Sequence, residues 1–254
     1  MENIDAFNNL QDDYDQSRPT YPNEAIKKLA DYFTDNPCPS ILDVGCGTGI
    51  FTRQLADLFK NSQVFGSDIN ATMIEKAQQS SKLKHPHIDY GFSEAEQLPY
   101  SDQQLNMLCV AQAIQWFDRP AFYKEVTRLL KADGILALIE NNRAWQNSDF
   151  LDDYETLLER YSPNYSRHYR SNDYVTELDE HGFSKVEVSE HLWQRSMHKD
   201  AFIQMTKSST KMQSALLAHG NVAQQSLISL IEKHIDAQSI LNIDYITKVI
   251  IARV

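Results

Sequence analysis

The chain has 254 residues, of which 42% are hydrophobic and 23% charged, and its formal net charge at pH 7 is -11. That length allows one large α/β domain, or a core domain with a modest cap, and a sizeable buried core in either case. The acidic balance argues against binding to nucleic acid or to an anionic membrane, which needs clustered Lys and Arg. A small acidic substrate in a local basic pocket remains open.

The cysteines and the apolar runs indicate the cellular compartment in which the protein works. Cys38, Cys46 and Cys109 are odd in number and lie at no metal-ligand spacing, so we expect a reduced, cytoplasmic protein without a metal site. The amino terminus has no basic region followed by an apolar stretch. No run of about 18 apolar residues suits a bilayer span, and we expect no membrane association.

The first segment, residues 1–35, precedes the first predicted strand and contains the stretch YDQSRPTYP. Its two prolines separate a short helix from a second one, because proline breaks a helix interior. Tyr14, Arg18 and Tyr21 have a structural interpretation, in which the aromatic rings attach this arm to the core and Arg18 is solvated.

A glycine-rich turn follows, in Ser40–Leu58, which reads SILDVGCGTGIFTRQLADL. An apolar run precedes the glycines and a helical spacing of apolar residues follows them, which predicts strand, turn and helix. Gly45, Gly47 and Gly49 allow a tight turn at positive φ and leave room for a ligand against the backbone. The free N–H groups of the helix start face the same space.

The spacing of this turn is informative about its ligand. A dinucleotide fingerprint has the spacing G-x-G-x-x-G, but the residue three after Gly47 is Ile50, and Gly49 comes one position early. Asp43 completes the pattern D-x-G-x-G-x-G. Glycine-rich turns that bind nothing also occur in α/β proteins, so this segment by itself leaves the ligand open.

The second predicted strand, Gln63–Phe65, leads into Gly66-Ser67-Asp68. An acid at the carboxyl end of the second strand, about 20 residues past the glycines, suits bidentate acceptance from two ribose hydroxyls. Asp68 could instead cap the helix predicted over residues 70–78, but Asn70 can supply that cap.

The third predicted strand, Ile88–Phe92, is followed by the segment EAEQLP, residues 94–99. With the D-x-G-x-G-x-G turn and Asp68, this segment resembles the class I S-adenosylmethionine-dependent methyltransferases of the small-molecule, type 11-like kind, whose adenine loop commonly reads x-A-E-x-L-P. The resemblance covers most of residues 10–193. It implies S-adenosylmethionine as cofactor and S-adenosylhomocysteine as product.

The resemblance also implies roles for single residues. The motif acid and glycine backbone hold the methionine part of the cofactor, Asp68 its ribose, and Glu94 with Ala95 its adenine. The segment Y-x-x-x-R-P-x-Y-P folds over the cofactor in many such enzymes, which would bring Arg18 near the cofactor carboxylate. The implied cofactor-binding residues are Arg18, Asp43, Gly45, Cys46, Gly47, Gly49, Asp68, Ile69, Glu94, Ala95 and Gln112.

The fourth predicted strand, Leu105–Val110, ends at a segment expected to face the transferred methyl group, because ligands of open α/β sheets bind at such strand ends. The family often has H-W-F here, whereas this chain has Gln115, Trp116 and Phe117. A glutamine also occurs in the trans-aconitate methyltransferase branch. We expect Tyr14, Gln115 and Trp116 to position the reactants, with core packing as the alternative for Trp116.

A fifth strand, Ile135–Ile139, precedes a helical insertion that contains the only basic and aromatic concentration of this acidic chain, around YSPNYSRHYR. One interpretation is a solvated helix end. The other is that arginines here bind a substrate carboxylate through planar, bidentate donors. The candidate substrate-binding residues are Tyr21, Arg143, Arg167 and Arg170.

The remaining pattern predicts a helix over Asp173–His181, a sixth strand over Lys185–His191, further helices over 199–237, and an antiparallel seventh strand over Tyr245–Ala252. Alternating strands and helices predict an α/β, Rossmann-like, doubly wound sheet of seven strands with helical cap insertions. The expected division is an arm over the cofactor at 1–35, a cofactor-binding core at 36–141 continued at 172–193, a helical insertion at 142–171, a helical cap at 194–240 and the final core strand at 241–254.

These patterns favour a methyltransferase that acts on a small-molecule acceptor, with O-methylation of a carboxylic acid such as trans-aconitate as the leading hypothesis. The alternatives are a quinone precursor, an amine or a tRNA nucleoside as acceptor, and a protein that binds S-adenosylmethionine without turnover. An NAD-dependent reductase is a more distant alternative. We expect a monomer or a homodimer.

Overall fold

The computed structural model describes residues 18–36, 38–169 and 171–254. Tyr14 and Arg170 therefore lie outside the described residues. The strands are β1 (Ser40–Val44), β2 (Gln63–Asp68), β3 (Asp89–Phe92), β4 (Leu105–Ala111), β5 (Leu130–Arg143), β6 (Ser184–His198) and β7 (Ile240–Arg253). The helices are α1 (Asn23–Asp31), α2 (Ile50–Leu58), α3 (Ala71–Ser81), α4 (Arg119–Leu129), α5 (Asp149–Tyr161), α6 (Tyr174–Glu180), α7 (Lys199–Lys207) and α8 (Thr210–His234).

The seven strands form one sheet in the order β3-β2-β1-β4-β5-β7-β6. The pairs from β3 to β5 are parallel, and β7 runs antiparallel between β5 and β6. The predicted Rossmann-like sheet with an antiparallel last strand is confirmed. The strand order reverses between β1 and β4, and in open α/β sheets such a reversal leaves a crevice at the carboxyl ends of the strands.

Helices cover both faces of the parallel part, so the strands read as near-continuous apolar runs. Successive residues of a strand point to opposite faces: Ile41 packs in the cluster under α1 and α2, and Leu42 in the cluster under α4 and α6. Side chains at the helix starts fix where several helices begin. Asn70, Asp118 and Asp173 accept hydrogen bonds from backbone N–H groups in the first turns of α3, α4 and α6, which satisfies donors that have no partner inside the helix.

A second group of elements packs together above the crevice. It consists of α5, α7, α8 and the paired ends of β6 and β7, and we call it the cap. Its apolar side chains form a cluster of their own, with Phe202, Met212, Ala215 and Ala223 fully buried. The helix α8 is interrupted at Gly220, where φ is 49° and ψ is -126°.

The sixth strand is longer than expected. It was expected to end at His191, but β6 continues to His198, opposite Ile240 of β7. Polar side chains pair across this extension, since Gln194 donates to Asp244 and Ser196 to Asn242. An edge strand that alternates polar residues in this way lacks the apolar run on which the prediction relied.

Candidate functional site

The carboxyl ends of β1, β2, β4 and β5 open into one cavity of about 900 Å³ between the sheet and the cap. The sheet side contributes the glycine turn, Asp68 and the segment after β4, and the cap side contributes α5, the segment after it and the start of α8. Most of the sequence-predicted site residues that the structure describes line this cavity: Arg18, Tyr21, Asp43, Gly45, Cys46, Gly47, Asp68, Ile69, Ala95, Gln112, Gln115, Trp116, Arg143 and Arg167.

The three motif glycines all have positive φ, but they serve different neighbours. A Cβ on Gly45 would lie 2.5 Å from the Ala113 Cβ, and one on Gly49 would lie 2.5 Å from the Tyr90 hydroxyl. A Cβ on Gly47 would meet no atom within 4 Å. Gly47 therefore faces the open cavity, while Gly49 packs against β3 and does not line the cavity.

Asp43, the motif acid, is fully buried at the cavity floor. Its Oδ2 accepts a hydrogen bond from the Thr52 hydroxyl at 2.6 Å, and its Oδ1 has no hydrogen-bond partner among the described residues. Burial raises the pKa of Asp43 to about 7, because a charged carboxylate is poorly solvated there, although the Thr52 hydrogen bond opposes the shift. A cation placed beside Oδ1 would stabilise the charged form.

Asp68 closes the glycine turn from the end of β2. Its Oδ2 accepts from the Gly47 N–H at 2.8 Å and its Oδ1 from the Asn70 N–H at 2.8 Å. Asn70 itself caps α3, so the acid is not needed as a cap. Burial raises the pKa of Asp68 above its ordinary value, an effect that these backbone hydrogen bonds oppose. The buried thiol of Cys46 likewise has its pKa raised, chiefly by burial, so it is held as a neutral thiol rather than as a nucleophile.

The expected adenine loop is only partly at the cavity. Ala95 lines it and is buried, and Ile69 lines it while remaining 38% exposed. Glu94 is exposed and does not line the cavity. Ser93, which sequence analysis did not single out, does line it, and its buried hydroxyl has no hydrogen-bond partner among the described residues.

Two glutamines stand beyond β4. Gln112 has a φ of 60°, a conformation that costs free energy in a residue with a side chain. Its Nε2 donates to the Asn141 carbonyl, and the Gln115 Nε2 donates to the Gln112 carbonyl, both at 2.8 Å. The Oε1 atoms of both glutamines are buried and have no partner among the described residues. Trp116 is 41% exposed and walls the cavity rather than the core.

Arg143 and Arg167, two of the candidate substrate-binding residues, are both held by acids. Arg143 Nε lies 2.6 Å from Glu155 Oε1, and the hydroxyl of Tyr165 also donates to Glu155. Arg167 forms ion pairs with Glu159 and Asp152. Sequence analysis did not single out Glu155. The available signal was that this acid falls among the apolar residues that form the buried face of α5.

The arm reaches the cap as well as the sheet. Arg18 donates through Nη2 to the Ser208 carbonyl, at the end of α7, at 2.9 Å. Tyr21 is buried with its ring 5.0 Å from that of Phe51, and its N–H donates to the Gln54 side chain. The two ends of this short segment thus connect the cap to the helix after the glycine turn.

In the described ranges of the chain, no helix is long and apolar enough to cross a membrane. Those same ranges contain no group of three or more His, Cys, Asp and Glu side chains arranged to hold a metal ion.

Comparison with known proteins adds to this geometry. Residues 41–134 match the model of a family described as "Methyltransferase domain". A protein from Dictyostelium discoideum that carries a methyltransferase name is 31% identical over 179 residues, which is 67% of this chain and 64% of that protein. The chain spans 64%, 50% and 49% of three curated relatives that it matches.

Solved structures share the fold. A methyltransferase-named protein from Anaeromyxobacter dehalogenans superposes with a TM-score of 0.70 at 21% identity, covering 93% of this chain and 97% of that one. The phosphoethanolamine N-methyltransferase 2 of Haemonchus contortus, solved with phosphomonomethylethanolamine and S-adenosylhomocysteine, superposes with a TM-score of 0.53 at 19% identity, covering 91% of this chain and 52% of that one.

Proposed function

From the match of residues 41–134 to a methyltransferase-domain model, we propose that the chain is a class I S-adenosylmethionine-dependent methyltransferase that transfers the cofactor's methyl group to a small-molecule acceptor. The observation that carries the proposal is the arrangement of Asp43, Gly47 and Asp68 around one open cavity. A buried and a half-buried carboxylate, beside a glycine that faces open space, suit a ligand that is cationic and approaches the backbone closely.

The side chains fit S-adenosylmethionine in several respects. Asp68 lies at the end of β2, where a carboxylate can accept from ribose hydroxyls. Asp43 has a buried oxygen without a partner among the described residues, and the sulfonium and ammonium groups of the cofactor would bring positive charge to this acidic floor. Arg18 also lines the cavity, and its guanidinium is suited to the cofactor carboxylate.

The chemistry asks little of the side chains. When bound, the cofactor supplies a methyl group already activated by its sulfonium. Transfer to a carboxylate forms an O–CH₃ bond as the S–CH₃ bond breaks, and the electron pair of that bond stays on sulfur. No proton moves, so no general base is required. The protein's task is to align the acceptor oxygen with the methyl carbon and to exclude water. Gln115, Trp116 and the cap are suited to that task because they wall the cavity.

A carboxylic acid is the acceptor that we favour, and O-methylation the reaction. The cavity floor presents the buried Asp43 and the half-buried Asp68, whereas its upper part presents Lys211 and the arginines Arg143 and Arg167, which are paired with acids on α5. Such a division suits a cationic cofactor below and an anionic acceptor above. A quinone precursor or an amine uses this polarity less well, and a tRNA nucleoside is disfavoured by the net charge of -11.

Methyl transfer and cofactor binding test the proposal together. We expect calorimetric binding of S-adenosylhomocysteine, and transfer of labelled methyl from S-adenosylmethionine to one or more members of a panel of small carboxylic acids. Asp68→Ala should weaken S-adenosylhomocysteine binding by about 10- to 100-fold, the range of a charged hydrogen bond. Asp35→Ala, at an exposed position outside the cavity, is the matched control.

Three results would contradict parts of the proposal. Tight binding without transfer to acids, amines, phenols or quinone precursors would favour a binding protein without turnover. Transfer to amines or phenols only would overturn the carboxylic acid. A thermal shift with NADH and none with S-adenosylhomocysteine would overturn the cofactor.

A further inference from the structure

Several cations line the upper part of the cavity, and the two arginines among them already have acidic partners in the protein. Arg143 and Arg167 form ion pairs with acids on α5. Lys248, on β7, also lines the cavity and is in strand register with Glu140 and Glu190. A substrate anion at either arginine would have to compete with a carboxylate that the fold itself supplies.

Lys211 differs from the two arginines. It lies in the first turn of α8 and lines the cavity, and no acid of the described part of the chain comes within ion-pair distance of its ammonium. Instead, the Nζ atom lies 5.1 Å from the ring centre of Tyr169 and 5.9 Å from that of Tyr165. The two tyrosine rings lie 5.5 Å apart and together form a shelf beneath the ammonium.

Contact with aromatic ring faces can hold an ammonium in place while its N–H groups stay available for hydrogen bonds. A lysine ammonium has three N–H donors and no acceptor, and cation–π attraction comes from the ring quadrupole. Donors of Lys211 therefore remain for oxygen atoms in the cavity. The hydroxyl side chains of Ser209 and Thr210 line the cavity beside it and can donate to the same anion.

The proposed chemistry restricts which anion this is. A carboxylate that accepts a methyl group becomes a neutral ester and must lie at the transferred methyl, on the sheet side. An anion at Lys211 is a different group, on the cap side. We propose that Lys211, supported by Tyr165 and Tyr169, binds a second anionic group of the acceptor, so that the substrate is a dicarboxylate or a larger polycarboxylate. This inference rests on the proposed methylation of a carboxylic acid.

The test compares two acids that differ by one carboxylate, trans-glutaconate and trans-2-pentenoate. Each is titrated calorimetrically into the full chain saturated with S-adenosylhomocysteine. We expect the wild-type protein to bind the diacid about 10- to 100-fold more tightly than the monoacid, the range of a hydrogen-bonded charge pair. Lys211→Gln should remove that preference, and Lys211→Arg should retain part of it.

Lys207→Gln is the matched control, because Lys207 is an exposed lysine at the end of the neighbouring α7 and does not line the cavity. It should keep the preference for the diacid. The same preference in Lys211→Gln would overturn the inference, as would failure of the wild-type protein to prefer the diacid. A circular dichroism melt confirms that each variant is folded.

Labelled methyl transfer to the same two acids separates the two proposals. Transfer with a diacid preference that survives Lys211→Gln would leave the proposed function standing and remove the role of Lys211. A diacid preference that depends on Lys211, without transfer to either acid or to trans-aconitate, would support the anion site and count against the methylation of acids.

Discussion

At the scale of single residues, the glycine turn divides between folding and binding. Gly45 and Gly49 are required by protein neighbours, Ala113 and Tyr90, whereas Gly47 adjoins open space. One sequence motif therefore combines two physical demands, close packing of the turn and close approach of a ligand. Substitution separates the two.

We expect Gly49→Ala to lower stability by about 1–3 kcal/mol, through positive φ and the collision with the Tyr90 hydroxyl. Gly47→Ala has the same cost of positive φ but no collision, and it should reduce S-adenosylhomocysteine affinity more than Gly49→Ala does. Thermal unfolding and calorimetry measure the two effects. Equal loss of affinity in both variants, after correction for unfolded protein, would contradict this division.

At the scale of secondary-structure elements, the cap is joined to the sheet by a buried ion pair. Arg143 belongs to β5 and Glu155 to α5, and the Glu155 side chain is only 3% exposed. Arg143 also lies over the ring of Tyr154, 5.1 Å from its centre. The pair fixes how α5 sits above the strand ends, because a buried charge that loses its partner is costly.

Glu155→Ala should destabilise the protein by about 3–5 kcal/mol, the usual cost of breaking a buried pair. Glu232→Ala, on the exposed side of α8, should change stability by less than about 0.5 kcal/mol. We expect hydrogen exchange to accelerate in α5 and α8 of Glu155→Ala before it does in β1 and β4. Uniform acceleration over the sheet and cap would show that the pair supports the whole fold and not the cap alone.

The elements also show what could be predicted from the sequence. The parallel sheet was accessible because its strands are apolar on both faces and its glycine turn has a recognisable spacing. The extension of β6 to His198 was not, because polar partners such as Gln194 and Asp244 satisfy each other only once the strands are paired. The arginines around residue 167 were apparent as a basic cluster. Their acidic partners lie on α5, and which acid meets which arginine is decided only when the chain is folded. The contrast between these paired arginines and Lys211 therefore could not be predicted either.

At the scale of the whole molecule, the cofactor side of the cavity lowers the protein's own stability at neutral pH. The pKa of Asp43 is about 7 in the folded protein against an ordinary value of 3.8. Between about pH 4 and 7 the folded protein therefore retains a proton that the unfolded chain has released, and its stability falls as pH rises through this range. Asp68, whose pKa is also raised, acts in the same direction.

Asp43→Asn should remove part of this pH dependence. The amide oxygen can still accept from Thr52, and no charge is buried, so we expect the ligand-free variant to be more stable than the wild type at pH 8 by about 1–2 kcal/mol, or a few degrees in Tm. The difference should shrink toward pH 4. Melting curves from pH 4 to 8 measure it, and a constant difference over that range would contradict the assignment to Asp43. S-adenosylhomocysteine should bind the variant more weakly at pH 8.

The long antiparallel strands β6 and β7 have a consequence for how such a protein can diversify. The chain leaves the sheet at His198 and re-enters it at Ile240, directly opposite, and the Lys199 N–H donates to the Ser239 carbonyl at 3.0 Å. Residues 199–239 are therefore connected to the sheet only at this pair of adjacent strand ends, which we call the neck. Recombination or loop exchange at this neck would replace α7, α8 and Lys211 together, while the register of the sheet, the Tyr165 and Tyr169 rings and the residues of the glycine turn stay in place.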